Sequence, residues 1–514
     1  MHFTSPYTYI LLFAFSAIVT RLGLLAYCPL AVRFGLLDKP DKNRKLQKDA
    51  IPVSGGVVIF GVAFVLGFFL ITTFTPPTPN SLLTLNTFFP LFFSSSLIVA
   101  VGLVDDSRGM KGKTKLLFQI VAASMVIFYA GAYSKISLFG VVFDLGHFFY
   151  PIGVLWLVGM VNSVNLLDGA DGVATAVGFL MSVTAGIIGL LNGYVALFVA
   201  AIIFSGALLG FFTMNRPPAK VYLGDTGSML IGFVVAVLLL RACATDRYVI
   251  NAIPPIAVAL IPILDSCFAI IRRKNSGRSI FAPDRGHIHH RLLNKFGHGY
   301  KPLGVLILLV TPGCVGAIAG MYWNTDWLPL IAIFGTIILA AWTALFGREE
   351  LSLIVCRVVN HLRKRIRHKD YEKSGEVFHF QGKAPWQPLW EDLISSLRKS
   401  GCVKAHLDIS IPFLHEDYSS DWENMDYRNK EEVYLKCTLP LNHQQQNVGK
   451  LKLVFSIKKT SNHLVLQEAG ELTEICMKYI EDCISLYKGK TSSISKPCFM
   501  GLKKQELEKS GTRG

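Results

Sequence analysis

Long apolar stretches alternate with short polar loops from residue 1 to about residue 346. A helix needs roughly 20 mostly apolar residues to cross a bilayer, and about eleven stretches approach that length. Their centres lie near Phe15, Val65, Leu97, Met125, Leu157, Ser182, Ala201, Phe233, Leu260, Leu308 and Ile338. Hydrophobic residues make up 52% of the chain and charged residues only 17%, whereas about a quarter of the residues of soluble proteins are charged. We therefore predict an all-α polytopic membrane protein with about eleven transmembrane helices.

Charged residues become frequent after residue 346, and the apolar runs there are too short to span a bilayer. Residues 347–373 combine apolar positions at helical spacing with basic ones, which predicts a helix on the anionic inner leaflet or, equally, one packed on the tail domain. Residues 374–487 are predicted to form a small cytoplasmic α+β domain. Its strand-like runs are Val377–Phe380, Ala405–Pro412, Glu432–Leu439 and Lys450–Ile457. Residues 488–514 are polar and are predicted to be disordered.

Lysine and arginine are concentrated in alternate loops. The odd-numbered loops hold most of them, for example Arg108, Lys111 and Lys115 in the third and Arg272 and Arg273 in the ninth. Because basic loops stay in the cytoplasm, we predict the N-terminus outside and the C-terminal domain inside. The net charge of +16 is then a signal of topology, and no nucleic-acid partner is expected. The ten cysteines form no CxxC pair, which favours reduced thiols over disulfides or zinc.

Two clusters of acidic and amide residues follow predicted spans. Asp105 and Asp106 end the third span, and a divalent cation beside a phosphate is the usual reason to keep adjacent carboxylates ionised. A solvated loop that caps the next helix explains this pair equally well. The stretch Asn162–Gly172 interleaves two amides and two carboxylates with glycines. Capping a helix needs one such residue, so the second cluster favours a functional site.

Two further clusters carry glycines or histidines. In the turn Tyr222–Ser228, Gly224 and Gly227 would let backbone amides approach a phosphate at a helix N-terminus, and Asp225 suits a hard cation. Alone, this is a weak glycine-rich signal. The segment Arg285–Arg291 holds three histidines and two arginines. It fits zinc, lipid head groups or phosphate oxygens, and the last of these is favoured because no cysteine or acid completes a zinc ligand set.

Together the four clusters indicate phosphoryl transfer, in which carboxylates hold magnesium and cationic groups neutralise developing charge. A membrane transporter is the first non-enzyme alternative, and it predicts ionisable residues in mid-membrane. Asp265 is the main such residue in the predicted spans, and it lies near a span's end. A sensor led by the C-terminal domain is the second alternative, but it leaves the loop motifs unexplained.

The ordered motifs resemble those of the polyprenyl-phosphate N-acetylhexosamine-1-phosphate transferases. They are DD, NxxNxxDGxDG, GDxGS and the stretch DSCFAIIRRKNSGRSIFAPDRGHIHH, and the match runs from about Arg33 to Leu292. The chain departs from the family pattern at Gln47, where relatives often carry a histidine. The resemblance implies transfer of a sugar-1-phosphate from a UDP-N-acetylhexosamine to a polyprenyl phosphate, with release of UMP. Mg²⁺ is the implied cofactor, with Mn²⁺ as an alternative.

The resemblance also implies roles for individual residues. Asp105 and Asp106 would lie at the catalytic centre together with His289 and His290, and both aspartates would share the metal with Asp225. The nucleotide and diphosphate would be bound by Asn165, Asp168, Gly169, Ala170, Asp171, Tyr222, Lys45, Lys48, Arg285 and His287. Within that set, Tyr222 is expected to stack on the uracil ring.

The broken histidine run, His-Ile-His-His after Pro-Asp-Arg-Gly, resembles the branch of the family that uses UDP-GlcNAc. That branch implies the initiating step of cell-envelope polysaccharide synthesis, on undecaprenyl phosphate at a bacterial inner membrane. The alternative is the phospho-N-acetylmuramoyl-pentapeptide transferase of peptidoglycan synthesis. A homodimer and a protein partner of the C-terminal domain are further expectations.

Overall fold

The computed structural model describes residues 6–38, 50–53, 55–74, 85–129, 134–246, 249–275, 286–343, 377–381, 386–398, 402–411, 416–423, 434–443, 446–456, 470–474 and 476–482. The chain divides into two compact units, Met1–Ile271 with Ser279–Leu351 and Arg272–Arg278 with Ser352–Gly514. The predicted boundary at residue 346, the predicted helix 347–373 and the predicted disordered tail 488–514 lie outside the described residues.

The first unit is a helix bundle, and most of its described helices are apolar. They are α1 (Pro6–Arg33), α2 (Gly56–Phe74), α3 (Leu85–Arg108), α4 (Gly112–Tyr129), α5 (Phe149–Leu167), α6 (Val173–Leu191), α7 (Val195–Asn215), α8 (Gly224–Ala242), α9 (Ile253–Val258), α10 (Leu260–Asn275), α11 (Ile288–Phe296), α12 (Tyr300–Tyr322) and α13 (Trp327–Trp342). In the part of the chain that the structure describes, eight of them are long and apolar enough to cross a membrane, namely α1, α3 to α8 and α12. The predicted centres near Val65, Leu260 and Ile338 fall in α2, α10 and α13. The predicted count of about eleven spans is therefore not confirmed.

Helix α8 lies at the centre of the bundle. Every residue of α8 from Thr226 to Ala242 is buried. Glycines of its neighbours allow the backbones to approach closely: a Cβ atom on Gly102 of α3 would lie 2.4 Å from the Cα of Thr226, and one on Gly56 of α2 would lie 2.3 Å from the Cα of Gly227. Small residues at helix interfaces are typical of membrane bundles, where close packing drives association. Any side chain at Gly102 or Gly56 would push α3 or α2 away from the start of α8.

The polar motifs lie at one end of the bundle, and a small sheet lies at the other. Four short strands, β3 (Lys135–Leu138), β4 (Val141–Asp144), β5 (Ala244–Asp246) and β6 (Val249–Asn251), form a sheet in the order β4-β3-β6-β5. The Asp326 carboxylate, just before α13, accepts hydrogen bonds from the Phe139 amide and the Asn251 side chain, both at 2.6 Å. At the motif end, β1 (Leu37–Asp38) pairs with β2 (Ile51–Pro52).

The second unit contains a five-stranded antiparallel sheet. Its strands are β7 (Val377–Gln381), β8 (Cys402–Ile411), β9 (Glu416–Glu423), β10 (Tyr434–His443) and β11 (Gln446–Ser456), in the order β10-β11-β8-β9-β7. Alternate residues of β8 and β11, such as Leu407 and Leu453, are fully buried in one core with Trp386 of α14 (Trp386–Leu397). Lys404 and His406 point to the opposite, polar face. The region therefore contains both helices and a sheet, as predicted, and β9 is a strand that the sequence did not predict.

Candidate active site

A lysine lies between two carboxylates at the motif end of the bundle. Asp105 stands in the last turn of α3, Lys115 in the first turn of α4, and Asp225 at the start of α8. The Lys115 ammonium is hydrogen-bonded to the carboxylates of both Asp105 and Asp225. All three side chains are largely buried: 18% of the Lys115 side chain, 10% of that of Asp105 and 30% of that of Asp225 is exposed. Partial burial strengthens these charge-assisted bonds relative to a surface ion pair.

Asp106 has a different environment from its neighbour Asp105. Its Oδ1 accepts a hydrogen bond from the Asp225 amide at 2.8 Å, and its Oδ2 accepts bonds from the amide and the hydroxyl of Thr226 at 3.2 and 2.6 Å. Asp106 therefore caps α8, a helix more than a hundred residues further along the chain. A Cβ atom on Gly224, whose φ is +69°, would lie 2.5 Å from Asp106 Oδ2, so glycine is required there.

The capping carboxylate corrects one sequence interpretation. The turn Tyr222–Ser228 was expected to offer backbone amides to a phosphate. The amides of Asp225 and Thr226 instead bind the Asp106 carboxylate. Asp106 therefore caps α8 rather than the next helix in the chain. Asp105 instead accepts the Met110 amide in the loop before α4.

Asn165 connects α5 to the same centre. Its side-chain amide donates to Asp225 Oδ1 at 2.7 Å and lies 3.1 Å from the Ser228 hydroxyl. Three elements that are distant in sequence, the ends of α3 and α5 and the start of α8, thus meet at Asp225. The second and third sequence clusters form one site.

Asp168 and Asp171 lie in the turn that follows α5. Burial raises the pKa of Asp168 well above its ordinary value, and the negative charges of Asp225, Asp106 and Asp171 add to the effect. Asp168 nevertheless retains some solvent exposure. The Asp171 carboxylate accepts a hydrogen bond from the Ala219 amide at 2.9 Å and so connects this turn to the segment between α7 and α8.

The histidine segment packs against the same turn. A Cβ atom on Gly169 would lie 2.0 Å from Nε2 of His289, so the imidazole contacts the backbone of a residue that must lack a side chain. Ala170 lies beside it, and its carbonyl accepts the Val173 amide at 3.2 Å. The His289 ring is 4.2 Å from that of His290 and 5.8 Å from that of His287, centroid to centroid.

The backbone of Tyr222 is hydrogen-bonded on both sides, and its phenol is half-buried. Its amide donates to the Pro52 carbonyl at 2.8 Å, and its carbonyl accepts the Gly55 amide at 3.3 Å. Burial raises the pKa of the Tyr222 phenol to about 12, with smaller contributions from the charges of Asp171 and Asp38. The phenol therefore remains protonated at neutral pH and can serve as a hydrogen-bond donor.

The structure brings most of the predicted residues together. Asp105, Asp106, Asn165 and Asp225 share one network, and Gly169 contacts His289. Lys45, Lys48 and Arg285 lie outside the described residues. Lys115 belongs to the third basic loop, where the sequence predicts only a topology signal. A lysine one turn inside a predicted apolar span was the signal that could have identified it.

The site fits a hard divalent cation through a subset of the predicted ligands. Among the described residues, no three or more histidine, cysteine or acidic side chains lie close enough together to bind a metal ion by themselves. Asp105 and Asp225 nevertheless converge on one cation, the Lys115 ammonium. Magnesium is typically bound by one or two carboxylates together with substrate phosphates. The two carboxylates fit that pattern, whereas Asp106 is engaged by the α8 amides.

The chain is similar in sequence to a known family and to several named proteins. Residues 88–243 match glycosyl transferase family 4. The chain is 32% identical over 332 residues to the "Probable undecaprenyl-phosphate N-acetylglucosaminyl 1-phosphate transferase" of Bacillus subtilis, covering 62% of this chain and 88% of that protein. It is 29% identical over 366 residues to the "Undecaprenyl-phosphate alpha-N-acetylglucosaminyl 1-phosphate transferase" of Yersinia pestis, covering 67% and 92%.

A third relative is named for a different transferase. The "Phospho-N-acetylmuramoyl-pentapeptide-transferase" of Streptococcus thermophilus is 31% identical over 275 residues, covering 51% of this chain and 80% of that protein. The helix bundle and the carboxylate centre define a membrane-embedded transferase. The chain belongs to glycosyl transferase family 4, and the resemblance drawn from its motifs is confirmed.

Proposed function

We propose that this protein transfers GlcNAc-1-phosphate from UDP-GlcNAc to a polyprenyl phosphate and releases UMP. The observation that carries the proposal is the meeting of Asp105, Lys115, Asn165 and Asp225 at one end of the bundle. Carboxylates and a cation gathered at a helix end suit a substrate that carries phosphates. The names of the Bacillus and Yersinia relatives support the donor sugar and the lipid acceptor.

The proposed step exchanges one phosphoanhydride for another. An oxygen of the polyprenyl phosphate attacks the β-phosphorus of UDP-GlcNAc and forms the new P–O bond. The bond from that phosphorus to the bridging oxygen breaks, and its electron pair leaves with UMP. The bond from the sugar to its phosphate is untouched, so the anomeric configuration is retained. Because a similar bond is made and broken, the reaction should be readily reversible.

The side chains would divide the work between metal, phosphates and nucleotide. Asp105 and Asp225 would hold Mg²⁺, or Mn²⁺, which when bound would neutralise diphosphate charge and polarise its oxygens. Asp106 would keep α8 in place, and Lys115 would balance the two metal-binding carboxylates. His289 and His290 would donate hydrogen bonds to phosphoryl oxygens as charge develops on them. Lys45, Lys48 and Arg285 are assigned to the diphosphate by resemblance.

The nucleotide would lie over the turn between α5 and α6. Asn165, Asp168, Gly169, Ala170 and Asp171 are assigned to it by resemblance, with Tyr222 stacked on the uracil ring. Support for this assignment comes from Gly169, where the backbone approaches His289 directly. A base bound over that turn would bring its diphosphate to the histidine segment.

The proposal is tested by UMP release from purified protein in lipid nanodiscs. The assay contains Mg²⁺, undecaprenyl phosphate and either UDP-GlcNAc or UDP-MurNAc-pentapeptide. Release with UDP-GlcNAc alone is expected, and release with the pentapeptide substrate alone would replace it with the peptidoglycan reaction. The variants Asp105→Asn and Asp225→Asn should each lose about 10²-fold or more in kcat. The control Asp144→Asn, on the opposite end of the bundle with 63% of its side chain exposed, should keep wild-type turnover.

We also propose a membrane topology with about eleven spans and the N-terminus outside, in which the site faces the bacterial cytoplasm. Two observations support it. The catalytic segments gather at one end of the bundle, whose loops are rich in lysine and arginine, and the sheet containing β3 to β6 lies at the other end, in loops that are poor in them. Reporter fusions after residue 140 and after the C-terminal residue should report opposite sides of the membrane.

The C-terminal domain is proposed to sense a signal or bind a protein partner. This proposal rests on the separate core of the second unit and on a sheet face that carries Lys404, His406 and Asp421. Deletion of residues 374–514 should leave UMP release intact in purified protein. Loss of turnover by a well-folded deletion would instead give this domain a part in catalysis. The homodimer remains a prediction.

A further inference from the structure

Asp265 is a buried carboxylate that the proposed reaction has not yet used. It lies in the second turn of α10, and only 1% of its surface is exposed. Its Oδ1 accepts a hydrogen bond from the Ile288 amide at 2.9 Å, and its Oδ2 lies 3.1 Å from Nδ1 of His287. Burying a carboxylate costs free energy unless its oxygens are hydrogen-bonded, and these two contacts offset that cost for both oxygens of Asp265.

These two contacts hold the beginning of α11. Ile288 is the first residue of that helix, and His287 stands at its N-cap position with an extended backbone. The first amides of a helix have no partner within the helix itself. Asp265 satisfies one of them from a different helix, across more than twenty residues of chain. The direction in which α11 starts is therefore fixed from α10.

The direction of α11 determines where His289 lies. His289 follows Ile288 directly, and its Nε2 would be 2.0 Å from a Cβ atom on Gly169. The rings of His287 and His289 are nearly parallel, with an angle of 3° between them. A displacement of His287 would therefore also displace His289, because only Ile288 separates the two residues at the start of α11. His289 is buried, with 6% of its surface exposed, so it has little room to compensate.

We infer that Asp265 and His287 form a positioning pair, which presents His289 to the turn at Gly169 and does not itself contact the substrate. The inference rests on the proposed function. In this pair the Nδ1–H of His287 donates to the Asp265 carboxylate, which fixes the tautomer and the ring orientation of His287. It changes the role implied by the family resemblance, in which His287 binds the diphosphate directly.

The next residue along α10 supplies a matched control. The Ser266 hydroxyl lies 2.9 Å from the Ser163 hydroxyl of α5, so Ser266 also connects α10 to a neighbouring helix. This bond holds α10 in the bundle without contacting the histidine segment. Ser266→Ala therefore measures what a lost polar contact of α10 costs in packing alone.

The decisive comparison is between two substitutions of His287. In His287→Asn the side-chain amide can still donate to Asp265, because the asparagine nitrogen takes the place of Nδ1, while the group equivalent to Nε2 is gone. In His287→Ala both are lost. A positioning role predicts that His287→Asn retains kcat within a few-fold, whereas His287→Ala and Asp265→Ala lose about 10²-fold, the loss typical of a small misplacement of a reacting group.

The experiment measures kcat and the two KM values for these variants and for Ser266→Ala in nanodiscs, together with the thermal unfolding midpoint of each. The expected losses lie in kcat and in KM for UDP-GlcNAc, with KM for polyprenyl phosphate unchanged and Ser266→Ala close to wild type. Equal losses in His287→Asn and His287→Ala would show that Nε2 meets the substrate and would overturn the pair. So would equal losses in Ser266→Ala and Asp265→Ala. An inactive wild-type protein would instead refute the proposed function.

Discussion

Replacing Lys115 with methionine removes the positive charge that lies between Asp105 and Asp225 and leaves an unbranched side chain only one atom shorter. A hydrogen bond to a charged group contributes about 1.5–3 kcal/mol. The ammonium makes two of them, and the partial exposure of the carboxylates favours the lower end of that range. We expect the free energy of unfolding to fall by about 3 kcal/mol in the absence of divalent cations.

The same substitution should make stability depend on magnesium. Two carboxylates without their ammonium are a better site for a divalent cation, and a ligand present at 100 times its Kd stabilises the folded state by about 2.7 kcal/mol. Thermal unfolding in nanodiscs, with and without Mg²⁺, measures this effect. The midpoint of Lys115→Met should rise with Mg²⁺ more than that of wild type. Lys113→Met is the control, because Lys113 lies on the same helix and is exposed.

Two outcomes would contradict the role of Lys115 between the two carboxylates. If Lys115→Met unfolds at the wild-type temperature without Mg²⁺, the ammonium does not hold the two carboxylates together. An equal response of Lys115→Met and Lys113→Met to Mg²⁺ would show that Asp105 and Asp225 do not form the cation site.

Three further predictions concern neighbouring residues. Gly169→Ala should abolish UMP release because its methyl group would displace His289, whereas Gly159→Ala, whose Cβ would meet open space among the described residues, should remain active. Asp106→Asn should lower the unfolding free energy by about 1 kcal/mol, because both carboxylate oxygens of Asp106 accept hydrogen bonds and asparagine keeps only one acceptor oxygen; an unchanged midpoint would contradict the capping role. The pKa of Asp168 is raised on folding, so wild type loses stability relative to Asp168→Asn as the pH rises through that raised value. The variant should therefore unfold at a higher temperature than wild type in alkaline buffer, with the difference shrinking in acid, and a difference that is independent of pH would contradict this.

The helices and their polar ends could be predicted because both depend on local sequence. Apolar runs fix the positions of the spans whatever the neighbours are. The grouping of Asp105, Asn165 and Asp225 followed from motifs at the ends of successive spans, which an up-and-down bundle brings to one side. Hydropathy could not reveal that Asp106 caps α8, because that pairing depends on the contact of Gly102 with Thr226 across two helices.

Some elements were missed for physical reasons that can be named. Strand β9 has the sequence Glu-Asp-Tyr-Ser-Ser-Asp-Trp-Glu, whose polar residues hide the alternation that marks a strand. Its inward positions are nevertheless Tyr418, Ser420 and Trp422, which pair with apolar residues of β8. Strands β3 to β6 are three or four residues long and lie in loops, where local propensity is weak. Lys115 was missed because the same charge also serves as a topology signal.

Because α8 is buried on all sides, each of its residues must face a particular neighbouring helix, and the site depends on the rotation of α8 about its own axis. Asp225, Gly227 and Gly232 lie on one continuous helix, with the first in the carboxylate centre and the others against α2 and α5. An α-helix turns by about 100° per residue. One residue inserted between Asp225 and Gly232 would turn one of them away from its neighbour, whereas an insertion after Ala242 would leave both in phase. Length changes in this family should therefore collect outside this helix, and the spacing from Asp225 to Gly232 should be kept.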